Sequence, residues 1–293
     1  MSQTAVHASA TGRDPTGPTE GAPRRSPRPR SLRAARHLVY PLLSLLVLAV
    51  TLGAFEIASR QRWISPLMVP APSSVWEALT VGFERGIYWD HLLSTLSATA
   101  WGFLLATGLG IGLGGLLAAL RPLERVLYPF IVAFQSTPKI ALAPLVVIWL
   151  GFGVTSKILV VALVTFFPIL VNTMQGLRLR DRERQELMVA VGATKWQTFR
   201  YVRLPGSVPF VFAGLHIGAI FALLGAVVAE FVGSSSGLGV LLNAERASFN
   251  VPGVFAVLLI LMALGIALNA VMKALERRFT FWCREEDSPS TSI

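Results

Sequence analysis

Six long apolar runs constrain this chain more than any other feature of it. A helix needs about 20 mostly apolar residues to cross the hydrocarbon core of a bilayer. The stretches 38–58, 92–120, 128–150, 156–177, 208–232 and 254–274 reach that length. The second is long enough to continue beyond the bilayer. The third is interrupted by Pro138 and Lys139, so it reads either as one span or as a short helix followed by a span starting near Ile140. A soluble core does not string six such runs between short basic loops. The expected fold class is an all-α integral membrane protein with six transmembrane helices. Composition points the same way: 14% of the 293 residues are charged, against about 25% in soluble domains, and the mean hydropathy is +0.61. The single cysteine, Cys283, excludes an intrachain disulfide framework.

The net charge is +10, and in a membrane protein such an excess sets orientation. Residues 1–36 are rich in Pro, Ser, Thr, Gly and Arg, a composition that cannot bury enough surface to stay ordered, and they read as a disordered basic tail. A nucleic-acid arm and a twin-arginine signal are the competing readings of its arginines. The run that follows is too long for a signal-peptide core and lacks an Ala-x-Ala cleavage site, so the tail reads as a positive-inside anchor with no nucleic-acid partner. Seven Lys/Arg precede residue 37, two (Arg121 and Arg125) separate spans two and three, seven separate spans four and five, and four follow span six. These twenty fall on one side of a six-span chain. Five (Arg60, Arg62, Arg85, Lys157 and Arg246) fall on the other, and Lys139 lies inside the third run. The asymmetry places both termini, the tail 281–293 and the loop 178–207 in the cytoplasm.

Within the spans, small residues and ionisable groups carry the information. In span two the pairs Gly108/Gly112 and Gly110/Gly114 have the small-x-x-x-small spacing that lets helix backbones approach closely. The string from Gly110 to Gly115 also fits GxGxxG, but it follows no strand and lies in an apolar run, so the nucleotide reading fails. Ionisable groups inside a span are functional candidates by default. Glu56 lies near the outer end of span one and reads as structural. Lys139 follows the break in the third run; it could attract an anion, pair with a carboxylate or lie at the interface. Glu230, near the outer end of span five, reads as a gate or hydrogen-bonding group. Gln135, Ser136, Asn172 and Thr173 are polar positions that could line a route. The segment from Ser234 to Gly239 can support a re-entrant gate loop. His7, His37, His91 and His216 show no metal spacing, and His216 reads as structural.

The loop between spans four and five is the most distinctive segment. It reads as two short helices, the first over 181–191 with acidic residues early. Gly192 permits the turn that ends it. Thr194 and Gln197 have capping-box spacing and start the second, and Leu204-Pro205 stops it before the next span near Val208. Leu187, Met188, Val191, Trp196, Phe199 and Val202 need something to pack against, either the bundle or another protein.

Glu186-Leu187-Met188, three residues, Gly192, nine residues, Val202, one residue and Leu204-Pro205 resemble the EAA loop of ABC-importer permeases. Leu187 and Met188 stand where that pattern has two alanines, and Val202 where it has isoleucine. Three further strings resemble the nitrate/sulfonate/taurine branch of that family: Pro70 to Val75; Pro138 to Leu145 with Trp149 to Gly153; and Ala229 to Gly239. The resemblance runs from about 38 to 280 and implies a type I ABC importer (MetI-like) permease fold over 37–280.

By the same resemblance the loop 178–207 is the coupling helix that docks in a groove of a separate ATPase subunit. Glu186 and Gly192 mark that contact, with Ala193, Thr194, Phe199, Leu204 and Pro205 adjoining. The partners implied are a dimer of ATPase subunits, a second copy of the permease, an external solute-binding protein and the lipid bilayer, with the bacterial inner membrane as the implied location. The chain has no GxxxxGK[ST] string; Gly153-Val-Thr-Ser-Lys157 is too short and Lys157 falls on the external side. ATP and Mg would therefore be bound by the partner, and the chain itself would be a transport subunit, not an enzyme, with no cofactor of its own. The branch implies a small anionic solute such as a sulfonate, taurine or nitrate, or alternatively a thiamine-pyrimidine precursor. A secondary transporter would usually show internal repeats with matched broken helices, and an intramembrane enzyme a paired catalytic constellation; the sequence has neither.

Overall fold

A computed structural model describes residues 31–61, 63, 65, 68–178 and 182–282. The basic tail thus lies outside the described residues up to position 30, as do 179–181 and everything from Cys283 onward. Residues 31–36, read as the end of that tail, form the first turns of a helix. Among the described residues all regular structure is helical: α1 (Ser31–Arg60), α2 (Pro72–Glu84), α3 (Ile87–Ala119), α4 (Arg121–Ser136), a 3₁₀ turn (Lys139–Leu142), α5 (Ala143–Leu150), α6 (Val154–Arg178), α7 (Arg182–Ala190), α8 (Lys195–Thr198), a π-helical turn (Phe199–Arg203), α9 (Leu204–Gly233), α10 (Leu238–Ala247) and α11 (Val251–Phe279). The chain forms two compact units, Met1–Gly53 and Ala54–Ile293.

Among the described residues, five helical stretches are long and apolar enough to cross a membrane: Leu42–Arg60, α3, α6, Lys195–Gly233 and α11. The sixth is the bent pair Arg121–Ser136 and Lys139–Leu150, whose two limbs meet at 82°. The alternative of a separate span starting near Ile140 fails on length. At about 1.5 Å per residue, α5 with its 3₁₀ turn is too short to cross about 30 Å of hydrocarbon alone. The bend follows from Pro138, which has no N–H to give and biases Thr137 to the extended conformation in which it is found. Helix α3, at 33 residues, is about 50 Å long and extends beyond the core, as its sequence implies.

In the first unit, the apolar side chains Leu42, Leu45 and Val50 are exposed, as side chains facing acyl chains are. The second unit is built around α6. On one side, α3 presents Ala98, Gly102, Ala106, Gly110 and Gly114 at intervals of four, all buried. On the other, α9 presents Gly214, Gly218, Ala222, Gly225, Ala226, Ala229 and Gly233. Between these rows lie the bulkier Val160, Val161, Ile169 and Leu170 of α6, each at most 2% exposed. The helices approach closely here: a Cβ on Gly110 would sit 2.9 Å from Ile169 Cγ2, and one on Gly114 2.9 Å from the Leu170 carbonyl oxygen. Of the two glycine pairs marked by spacing, only Gly110/Gly114 faces α6; Gly108 and Gly112 look onto open space.

Other contacts tie the periphery down. Glu56, at the end of α1, accepts hydrogen bonds from Ser73 N–H (3.0 Å) and Ser73 Oγ (2.7 Å) and pairs with Arg60 (2.5 Å). It thereby satisfies an orphan N–H at the start of α2, where a carboxylate is favoured. Val75, Tyr88, Leu238, Leu241, Val257 and Ile260 form one apolar cluster joining α2, α3, α10 and α11. In the first half of α9, His216 Nε2 lies 2.9 Å from Glu276 on α11, beside the stacked rings of Phe212 and Phe279. His216 is thus structural, as its sequence context reads.

The small-residue rows predict a sharp asymmetry. Gly114→Ala should destabilise the protein by about 1–3 kcal/mol through overpacking, read as a lower thermal unfolding midpoint in detergent. Gly112→Ala should leave the midpoint unchanged. Equal effects would refute the assignment of the packing face.

Candidate functional site

Three places carry chemistry: the loop before α9, the break in the third span, and a buried ion pair at the far end of the bundle. The loop is built by local signals. Helix α7 ends in a Schellman motif, with Gly192 N–H donating to the Val189 carbonyl (3.0 Å) and Ala193 N–H to that of Met188 (2.9 Å). Gly192 sits at φ 70°, where a side chain would be strained. Thr194 caps α8: Gln197 N–H donates to its hydroxyl (3.2 Å), and Gln197 Oε1 accepts from Thr194 N–H (2.7 Å). This is the reciprocal capping box the spacing implies.

The end of that loop departs from its sequence reading. Leu204-Pro205 does not stop a helix; it opens α9. Proline is tolerated in a first turn. Because Pro205 cannot donate to the Tyr201 carbonyl, the preceding turn widens, and Leu204 N–H donates to Phe199 five residues back. The helical path therefore runs unbroken from Lys195 to Gly233. Along the loop Glu186 is exposed, and Leu187, Val191 and Trp196 are 63%, 67% and 70% exposed. Trp196 and Phe199 stack at 5.7 Å, while Met188, Phe199 and Val202 are half-buried. The loop thus presents apolar side chains that the other described residues do not cover.

At the broken span, Gln135, Pro138, Lys139, Ile140, Val164, Pro168 and Phe221 surround a cavity of about 330 Å³. Lys139 Nζ donates to the Gln135 carbonyl (2.9 Å) and lies 5.0 Å from the centre of the Phe167 ring, a cation–π distance. Of the polar positions marked in the sequence, this cavity brings together Gln135 and Lys139. Ser136 is exposed and donates to the Val132 carbonyl. Asn172 donates to the Pro168 carbonyl (2.8 Å) and packs toward Gly214. Thr173 is buried in the α3–α6 seam beside Gly114, its hydroxyl without a partner among the described residues.

Glu230 sits elsewhere, in the most enclosed polar network of the described chain. Lys157, which the sequence places on the external side at the start of the fourth run, lies in the first turn of α6 and is 2% exposed, as is Glu230. Its ammonium donates to Ser94 Oγ (2.7 Å) and the Ser236 carbonyl (3.0 Å) and lies 3.8 Å from Glu230 Oε1. The Glu230 carboxylate accepts from the Thr95 hydroxyl (2.8 Å) and from Gly239 N–H (2.8 Å). Thr95 in turn accepts from Leu238 N–H (2.8 Å), and His91 Nδ1 lies 3.0 Å from Gly237 N. The turn Ser234–Gly239 is thereby pinned to α3 and α6. Gly237 has φ 132°, and a Cβ there would fall within the Glu230 carboxylate. Sequence reading missed Lys157, Thr95, Ser94 and His91. A carboxylate inside an apolar run demands a cation at the same depth, and Lys157, one residue inside the fourth run, was the available signal.

A family described as the binding-protein-dependent transport system inner membrane component matches residues 106–281. A riboflavin transport system permease protein of Chloroflexus aurantiacus is 39% identical over 88% of this chain and 95% of its own length. A formylaminopyrimidine transport permease protein of Halalkalibacterium halodurans is 37% identical over 84% and 96%. A taurine transport system permease protein of Escherichia coli is 30% identical over 82% and 89%. In fold, the chain is similar to a methionine ABC transporter chain in an inward-facing conformation, with TM-score 0.58, 22% identity, and coverage of 67% of this chain and 98% of that one.

The buried pair makes its own prediction. Lys157→Met leaves a carboxylate unpaired and should cost about 3–5 kcal/mol of stability. Adding Glu230→Gln to Lys157→Met should recover a large part of that loss. A thermal unfolding series on the two single variants and the double variant measures both; strictly additive losses would contradict the pairing.

Proposed function

Because the chain belongs to the family of binding-protein-dependent transport system inner membrane components, the permease subunits of ABC importers, we propose that it forms one half of a solute pathway closed by a second copy of itself. A solute-binding protein delivers the substrate at the Lys157–Glu230 end. Two ATPase subunits, which hold ATP and Mg, act at the opposite end, in the cytoplasm with both termini.

The observation that carries the coupling assignment is the uncovered apolar surface of α7 and α8 on a rigidly capped loop. Leu187, Val191 and Trp196 flank Glu186 there. Gly192, Ala193 and Thr194 set the bend, and Phe199, Leu204 and Pro205 join it to α9. A piece with fixed ends and an exposed apolar face suits a groove in a partner that closes on ATP. The route runs past the 82° break, where Gln135 and Lys139 line the cavity and Ser136 lies adjacent. Asn172 and Thr173 shape the α6 wall behind it, and Glu230 holds the outer turn in position.

For the substrate, we favour a small heteroaromatic solute of the pyrimidine or flavin class. The named substrates of the relatives at 39% and 37% identity support this, as does a cavity walled by Phe221, Pro138, Ile140 and Val164 with an amide and an ammonium for polar ring atoms. The sulfonate reading rests on the Lys139 charge and on the taurine relative. The taurine relative, however, is the least similar of the three, at 30% identity against 39% and 37%.

Two outcomes test these assignments. Glu186→Lys should abolish ATP-coupled uptake while membrane insertion stays intact, and normal uptake by that variant would refute the coupling role. Calorimetry on the cognate solute-binding protein should show binding of riboflavin or a formylaminopyrimidine and none of taurine; the reverse order would establish the sulfonate reading.

A further inference from the structure

The end of the bundle that carries the coupling loop holds a second cavity, of about 310 Å³, at the start of α4 and away from the break at Pro138. Four arginines line it: Arg121 and Arg125 from α4, Arg178 from the last turn of α6, and Arg203 from the π-helical turn. Glu124, 3% exposed, is paired with Arg178. Among the described residues, no carboxylate lies within ion-pair distance of Arg121, Arg125 or Arg203. Like charges gathered in one partly enclosed space repel, so an anion placed among these arginines is electrostatically favoured.

Geometry selects the anion. Guanidinium groups present paired N–H donors that match the oxygens of a phosphate, and the Glu124–Arg178 pair holds one of them in place. The long apolar helices α3 and α6 both end at this cavity, at Ala119 and Arg178, so it opens at headgroup depth. Along α4, Tyr128 and Val132 follow Arg121 and Arg125 on one face at helical spacing, and they are 47% and 43% exposed. An ammonium-free phosphate headgroup above and an acyl chain below would meet complementary surfaces. We propose that this cavity binds the phosphate group of an anionic membrane lipid, such as phosphatidylglycerol. The site is independent of the substrate assignment.

The full-length permease, purified in detergent, is examined by native mass spectrometry after addition of phosphatidylglycerol or phosphatidylcholine at equal concentration, with and without millimolar inorganic phosphate. The expected result is saturable retention of phosphatidylglycerol over phosphatidylcholine. Arg121→Gln combined with Arg125→Gln should reduce it about tenfold, as loss of charge-assisted hydrogen bonds implies. Arg277→Gln combined with Arg278→Gln, equally basic positions at the end of α11, should leave it unchanged. Equal retention of both lipids by the unaltered protein would overturn the proposal without recourse to any variant. So would equal loss in the two arginine variants. Displacement of the lipid by inorganic phosphate would identify a free anion as the occupant and overturn the lipid assignment.

Discussion

Helix α6 is gripped between two rows of small residues, and the positions of the other elements depend on that contact. In a bilayer, apolar side chains gain nothing by leaving lipid for one another, so helices associate through close packing and polar contacts. Alanine and glycine at intervals of four on α3, and at similar intervals on α9, bring two backbones within reach of valine and isoleucine side chains on α6. The three helices therefore share a single interior. Both ends of α6 emerge from it bearing a basic residue paired with glutamate: Lys157 with Glu230, and Arg178 with Glu124.

These two pairs are physically different. Lys157 and Glu230 are enclosed, and each is met by further hydrogen bonds that replace the lost water. Such a pair adds little net stability over apolar substitutes, but breaking it is costly, so it fixes one arrangement of the Ser234–Gly239 turn against all others. Arg178 is 44% exposed at its side chain, and beside its pairing with Glu124 lies a cavity lined by three more guanidinium groups. One end of α6 is thus a closed polar knot and the other an open basic basin.

Much of this was legible beforehand, and the reasons differ by element. The spans follow from apolar length, and the loop before α9 from signals acting over three to five residues: Gly192 for the turn, Thr194 with Gln197 for the cap. Glu230 and Lys139 stand out because charge inside an apolar run is rare. Lys157 did not, since a lysine at the edge of a run reads as one that snorkels to water; only the fold shows the turn after α9 closing over it. Leu204-Pro205 was misread because a proline that stops one helix and a proline that starts the next look alike in sequence. The break at Pro138 was visible, but its 82° angle was not, because angles are set by what the two limbs pack against. Helices α2 and α10 escaped notice because neither is long enough to register as a span.

The unbroken path from Lys195 to Gly233 has a mechanical consequence. At about 1.5 Å per residue, its 39 residues make a rod of close to 60 Å, with one change of pitch near its base. Trp196 rides on one extremity, and Glu230 is bolted through Thr95 and Lys157 near the other. A lever clamped at its tip cannot be tilted at the handle without loading the clamp. Any tilt imposed at the handle must be absorbed at the widened turn of 199–203 or felt as tension in the Glu230 hydrogen bonds. The stiffness of that one turn thus determines how much of a push at one face of the membrane arrives at the other.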